Sequence, residues 1–226
     1  MADASVKLTI PEAGFVLGRP GKTLNQAIDR GEVFNVAKPA AKAMARGRAK
    51  ARVAAKAQVR RLGQAELRYF ALESDLRKNF TPEGRRRIYQ AIKRLPPDAR
   101  AVRLGPMALE LEPVDKALGA RLRRLAELKA SVTAAAGGEA MLKGAAVPVY
   151  AIAGLARGQS VAEILEDYPS LTEAQVRTAI DYAQAYPKPG RPYPATSLKR
   201  MIAAMAASGV LDVEPDDEPI TPAMFR

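Results

Sequence analysis

VPVYAIAGLARGQSVAEILEDYPSLTEAQVRTAIDYAQAYP, residues 147–187, divides itself into three helices. The first ends at Gly158. Ser160 followed by Glu163 makes a capping box, in which a hydroxyl and a carboxylate satisfy backbone N–H groups left open at a helix start. Thr172 followed by Gln175 repeats the device for a third helix. Tyr168-Pro169 is the break between them, because the residue before a proline is pushed out of helical backbone. Val149, Ile152, Leu155, Ile164, Leu165, Leu171, Val176 and Ile180 recur at helical spacing and are expected to fill a tri-helical core. Glu173, Arg177 and Asp181 fall on the outer face of the third helix with little net charge, which suits a protein contact or dimerisation better than DNA.

The rest of the chain fits a mainly helical reading. Of its 226 residues 48% are hydrophobic, but only 5% are aromatic and Trp is absent, so the cores must be built from aliphatic side chains. Cys and His are both absent. That removes thiol nucleophiles, imidazole bases, zinc fingers and Ser-His-Asp catalysis together. With no disulfide framework, no apolar run near 20 residues and no N-terminal signal pattern, the expectation is a cytoplasmic, non-membrane chain.

Charge is lopsided. The chain has 36 Lys/Arg and 24 Asp/Glu, a net +12. Residues 1–100 hold 22 Lys/Arg against nine Asp/Glu, +13, while residues 101–226 hold 14 against 15, −1. A one-sided positive field attracts polyanions through counterion release, so nucleic acid is the leading partner. An anionic membrane fits less well, because the basic stretch lacks an apolar face to insert.

At the N-terminus, Thr9 can cap a first helix with Pro11 in its first turn. Gly18-Arg19-Pro20-Gly21 breaks it. A second helix from about Lys22 to Arg30 puts Leu24, Ala27 and Ile28 on one face, and Gly31 supplies a left-handed cap. Two short helices across a tight turn make a helix-turn-helix, whose second helix would offer Thr23, Asn25, Gln26 and Arg30 to base edges, with Arg19 and Lys22 near phosphates. A plain helical hairpin with a solvated face is the alternative. From Lys38 to Arg61 there are nine Lys/Arg and no acid, threaded through Ala. Arg46, Arg48, Lys50, Arg52, Arg60 and Arg61 are the candidate phosphate ligands there, unless the stretch is only a solvated linker.

Residues 64–95 resume apolar periodicity, with Leu67, Phe70 and Leu76 on one helix and Ile88, Ile92 and Leu95 on another begun at Thr81-Pro82. Arg85-Arg86-Arg87 is read as a solvated face that is also able to touch phosphate. Ala101–Leu104 and Met107–Leu111 flank Gly105-Pro106 as a small β-hairpin. Pro113 opens a helix to about Val132, read as core or a dimer seam. TAAAGGE, residues 133–139, is the expected linker.

After a Pro-rich connector, Leu198, Met201, Ile202 and Met205 form an apolar helical stripe ending near Gly209. Beyond it the chain is acidic and broken by prolines. The stripe suits a partner groove, and Asp212, Glu214, Asp216, Asp217 and Glu218, with Leu211 and Phe225, make a tail able to imitate RNA phosphates in a basic cleft. The alternative is a helix packed on its own domain before an unstructured tail. A magnesium site at Asp216-Asp217-Glu218 lacks the fixed geometry that metal catalysis requires.

The tri-helical segment resembles the small homeodomain-like domain at the C-terminal end of a group of VapB-type antitoxins. The resemblance rests on the Gln159-Ser160 start, the YPSLT turn and the QVRTAIDYA helix. That family opens the domain with Gly-Thr-Arg-Ile-Pro-Val, where this chain has Gly144, Ala145, Ala146, Val147, Pro148 and Val149, so any contact made by the Thr and Arg is missing. The N-terminal half, with RRLGQAELRYFALESDL at 60–76, is similar to longer members of the group. The resemblance implies an antitoxin of a type II toxin–antitoxin pair that neutralises a PIN-domain ribonuclease and represses its own operon. No enzyme activity and no cofactor are implied, and a homodimer or larger toxin–antitoxin assembly is expected. A stand-alone helix-turn-helix regulator is the alternative.

The expected architecture is mainly α. It comprises a helix-turn-helix over 1–36, a basic arm or linker over 37–63, a helical region with the hairpin over 64–132 and a linker over 133–146. A tri-helical homeodomain-like domain over 147–187 and a toxin-binding helix with acidic tail over 188–226 complete it.

Overall fold

The computed structural model describes residues 6–31, 33, 60–135, 137–188, 190 and 192–208. The chain is mainly helical. A two-residue strand, β1 (Leu8–Thr9), leads into α1 (Ile10–Leu17) and α2 (Gly21–Asp29). The chain next re-enters through β2 (Arg61–Leu62), which pairs antiparallel with β1, Leu8 opposite Leu62 and Thr9 opposite Arg61. Helices α3 (Gln64–Asn79) and α4 (Pro82–Arg94) follow, then the hairpin β3 (Ala101–Leu104) and β4 (Met107–Glu110), and the long α5 (Glu112–Ala130). A second hairpin joins β5 (Val132–Ala134) to β6 (Ala140–Leu142). The last elements are α6 (Val149–Leu155), α7 (Val161–Asp167), α8 (Glu173–Ala185) and α9 (Leu198–Ala207). No helix among the described residues is long and apolar enough to cross a membrane.

The expected start signals operate. Glu12 accepts from the Thr9 backbone N–H at 2.8 Å, fixing the first turn of α1. Ser160 and Thr172 receive the N–H of Glu163 and Gln175, and their own N–H groups donate back to those side chains. Thr81 accepts from Gly84 at the start of α4.

Burial divides into two apolar clusters. The first joins α1 and α2 to α3, α4, β3 and α5 around Tyr69, Phe70 and Tyr89. Helix α5 is therefore core rather than a free seam, with Leu118, Leu125 and Leu128 buried. The second cluster is the tri-helical one, with Val149, Ile152, Ile164 and Val176 wholly enclosed. Ala179 is buried there too, while Leu165 and Ile180 are half-buried at its edge. Helix α8 serves both clusters, because its last residue, Ala185, is buried in the first.

Three expectations change. Residues 133–146 are not a plain linker: they hold the β5–β6 hairpin, and Leu142 is buried in the second core. Strands of three residues in an Ala-rich run give no periodicity, so only Gly137-Gly138, with Gly138 in the left-handed region (φ 75°), signals the turn. The basic stretch ends earlier than 63, because Arg61–Leu62 is a strand and Leu62 is fully buried. Finally, α1 and α2 are not a detached unit, since α1 packs on α3, α5 and α8.

Candidate nucleic-acid interface

The turn between α1 and α2 is set by two glycines. Gly18 takes φ 65°, a conformation that side chains resist, and closes α1. Gly14 is a different requirement: a Cβ there would stand 2.7 Å from the Arg19 carbonyl oxygen and 3.3 Å from the Gly21 nitrogen. The Arg19 N–H donates to the Gly14 carbonyl at 2.8 Å. The chain can double back only because α1 shows bare backbone at this point.

Helix α2 then buries Leu24, Ala27 and Ile28 and turns Lys22, Thr23, Gln26, Asp29 and Arg30 outward, with Asn25 half-buried. The 3.6-residue period creates this division. Lys22 and Arg121 of α5 border a cleft of about 870 Å³ between α1, the start of α2 and the end of α8.

Arg60 ties this helix to the basic segment. Its guanidinium donates to Asn25 Oδ1 at 2.9 Å and to Asp29 Oδ1 at 2.6 Å. The side chain is 9% exposed and its Nε is enclosed without a partner. Val33, shortly after α2, is 3% exposed in the first core, and the described chain resumes at Arg60 against α2. The C-terminal end of the Lys/Arg-rich stretch is thus held at α2. Arg46, Arg48, Lys50 and Arg52 lie outside the described residues. Arg61 is exposed and donates to the Lys7 carbonyl.

Arg19, expected near phosphate, ends instead on Glu73, whose side chain is 5% exposed and also takes Arg77. This pair joins the α1–α2 turn to α3. Arg68 similarly spends itself inside the fold: it is 3% exposed, forks onto Asp115 at 2.8 and 2.6 Å, and donates to the Pro97 carbonyl at 2.7 Å. Burial, and the hydrogen bond to Glu66, push the Tyr89 phenol far above its usual range. These groups are structural.

At the other end, α9 carries the candidate partner residues. Leu198, Met201, Ile202 and Met205 are 67, 46, 51 and 42% exposed, a continuous uncovered stripe. Leu211, Asp212, Glu214, Asp216, Asp217, Glu218 and Phe225 lie outside the described residues. What holds α9 is polar. Asp167, its side chain 4% exposed, accepts from Ser197 Oγ at 2.6 Å, Gln159 Nε2 at 2.9 Å and Arg200 Nε at 3.1 Å. Arg200 reaches Glu163 and Glu166 as well. The Ser197 hydroxyl, then Gln159 and Arg200, hold the Asp167 carboxyl below its ordinary value.

The connector before α9 lies on bare glycine. A Cβ at Gly154 would stand 2.7 Å from that of Tyr193, and one at Gly158 2.7 Å from the Ala195 carbonyl. Neither glycine nor the Asp167 hub was signalled by apolar periodicity; Gly154 and Gly158, one turn apart, were the available clue. Asp181 also differs from expectation, since it does not face solvent alone but receives Arg124 of α5 at 2.9 Å. Glu173 and Arg177 do pair with each other on the surface. Among the described residues there is no group of three or more Asp/Glu able to hold a metal ion.

Fold and surface together define a mainly helical protein with one polar-faced helix tied to a basic segment and one uncovered apolar helix. Residues 133–183 match a family described as Protein of unknown function (DUF433). The match begins at the β5–β6 hairpin, so the unit is larger than the three helices. "Uncharacterized protein y4eO" of Sinorhizobium fredii is 37% identical over 89 residues, 38% of this chain and 40% of that protein. The chain therefore matches less than half the length of this relative. No solved structure matches it.

Proposed function

We propose that this chain is a DNA-binding antitoxin that neutralises a PIN-domain ribonuclease, binds its own operator and catalyses no reaction itself. The observation that carries the DNA half is the Arg60 tie. It puts the C-terminal end of the stretch richest in Lys and Arg at α2, whose outer face carries Thr23, Gln26 and Arg30. In this reading α1, the turn and α2 are a helix-turn-helix, α2 lies in the major groove and the basic segment tracks the flanking phosphates. Asn25 is engaged by Arg60, so bidentate contact to adenine falls to Gln26. Lys22 contacts phosphate, while Arg19 serves the fold.

The toxin half is supported by the uncovered stripe of α9 and by the likeness of the tri-helical segment to VapB-type antitoxins. Four large apolar side chains on one exposed helix are what a partner groove buries. The acidic residues that follow α9 would complement a basic nuclease cleft. In this reading the tri-helical unit is homeodomain-like and carries α9 as its appendage.

The test is co-expression with the product of the adjacent gene. The full chain should relieve growth arrest by that product and co-purify with it. Deleting residues 196–226 should abolish both while leaving binding to the upstream DNA. A neighbour that is not a ribonuclease, with upstream DNA still bound, would favour a stand-alone regulator. Neutralisation retained by the truncation would refute the assignment of α9.

A further inference from the structure

The cleft of about 870 Å³ beside the start of α2 carries more than the charge of Lys22. Its walls come from α1, the α1–α2 turn, α5 and the end of α8, and the α1 wall is apolar, with Ile10, Pro11 and Phe15. Arg121 enters from α5, a helix that packs on α1. Its guanidinium lies over the turn: a Cβ at Gly18 would stand 3.2 Å from Nη1 and 3.6 Å from Nη2. Nη1 donates to the Phe15 carbonyl at 3.4 Å. Gly18 therefore has two tasks, closing α1 in the left-handed region and leaving room for this side chain.

Ion pairing separates two cations of this cleft from the rest. Arg19 is spent on Glu73, and Asp181, the acid among the lining residues, is taken by Arg124. Lys22 and Arg121 are both exposed, and neither forms an ion pair with a carboxylate among the described residues. The Phe15 carbonyl orients the Arg121 guanidinium without neutralising it, and the other N–H groups of the fork remain for a ligand. Two uncompensated cations on a cleft with an apolar wall suit a sugar-phosphate backbone, whose oxygens meet the charges and whose deoxyribose carbons meet the wall. Residues 101–226 carry a net −1, so charge counting gives them no part in a DNA surface. The fold nevertheless brings one of their arginines to the α1–α2 turn.

We propose that Arg121 is a phosphate-binding residue of the DNA interface, acting beside Lys22 on the strand that passes the start of α2. This role rests on α2 lying against DNA and adds to it a contact from α5, distant in sequence. Phosphates are the same at every base pair, so Arg121 contributes affinity and position but no preference for one sequence over another. Preference stays with the outer face of α2.

The test uses the full chain, the upstream DNA of the gene and a random-sequence duplex, with affinity measured across salt. Each phosphate contact contributes about 0.9 to the slope of log affinity against log salt. Arg121→Ala should make the slope shallower by about one on both duplexes, leaving the ratio of the two affinities at fixed salt unchanged. Arg121→Lys should keep the slope, since charge suffices. Arg121→Gln keeps a donor for the Phe15 carbonyl without the charge, and should match the alanine variant even if alanine lowers the melting temperature. Lys129→Ala removes the same charge from an exposed position about two turns further along α5 and should leave the slope as it is. An unchanged slope in the alanine and glutamine variants overturns the role of Arg121, as does an equal loss in Lys129→Ala, which would mean that net charge is read rather than a contact. Neither result touches α2. A native chain that binds both duplexes equally refutes α2 as the recognising helix while the slopes still decide on Arg121, and a native chain that binds neither refutes both.

Discussion

Replacing Gly14 with alanine tests whether the α1–α2 turn is built as described. Alanine is the better helix former by about 1 kcal/mol, so propensity alone predicts a more stable protein. The structure predicts the reverse. The added methyl would stand 2.7 Å from a backbone oxygen and 3.3 Å from a backbone nitrogen, neither of which can rotate away as a side chain would. Overpacking of this kind costs about 1–3 kcal/mol, and a contact with backbone belongs near the upper end. The net loss should be about 2 kcal/mol after the propensity gain, or roughly 4–8 °C in Tm for a chain of this size. Gly119 in α5 supplies the control. There the nearest foreign atom would be Arg123 Nη1 at 3.8 Å, an ordinary contact. Gly119→Ala should gain up to about 1 kcal/mol, raising Tm by roughly 2–4 °C. Calorimetry on the two variants measures both signs. Equal or greater stability in Gly14→Ala would refute the close approach of α1 to its turn.

Arg68→Met should destabilise the fold by about 3 kcal/mol in urea unfolding, because it leaves Asp115 and the Pro97 carbonyl without their donor; Arg68→Lys should rescue only part, since one ammonium cannot fork onto both carboxylate oxygens. Gly154→Ala should lift the connector off α6 and speed proteolysis between Tyr193 and Ser208, leaving the first core intact. The pH dependence of α9 follows from Asp167. Its carboxyl lies below the ordinary 3.8, so the clamp is fully present above that value and is lost as pH falls through the lowered one. Hydrogen exchange in α9 should therefore be slow from neutral pH down to about 4 and accelerate in stronger acid. Asp167→Asn should make it fast throughout, and slow exchange in that variant would refute the clamp.

Legibility followed the physical range of each signal. Caps and helix periods are local, so Ser160, Thr172, Thr81 and the buried faces of α2, α4 and α8 could be read directly from residue types. The Gly105-Pro106 turn exposed its hairpin for the same reason. The β1–β2 pair joins residues 52 and 54 positions apart through two-residue strands, which leave no pattern. The functional surfaces were legible as composition but not as geometry. The basic stretch and the α2 face were both visible, yet the tie between them depends on Arg60 meeting Asn25 and Asp29 across the fold. Arg19 illustrates the converse: its place beside a turn suggests phosphate, but a buried carboxylate 54 residues away claims it.

Binding to DNA through α2 is most directly tested by measuring preference, the ratio of affinities for the gene's own upstream DNA and a random duplex at fixed salt. The native chain should prefer the upstream DNA, and a Thr23→Ala/Gln26→Ala double variant should lose most of that preference while still binding random DNA and melting as the native chain does. Undiminished preference in the double variant, or none in the native chain, would contradict the reading of α2 as the helix that recognises DNA.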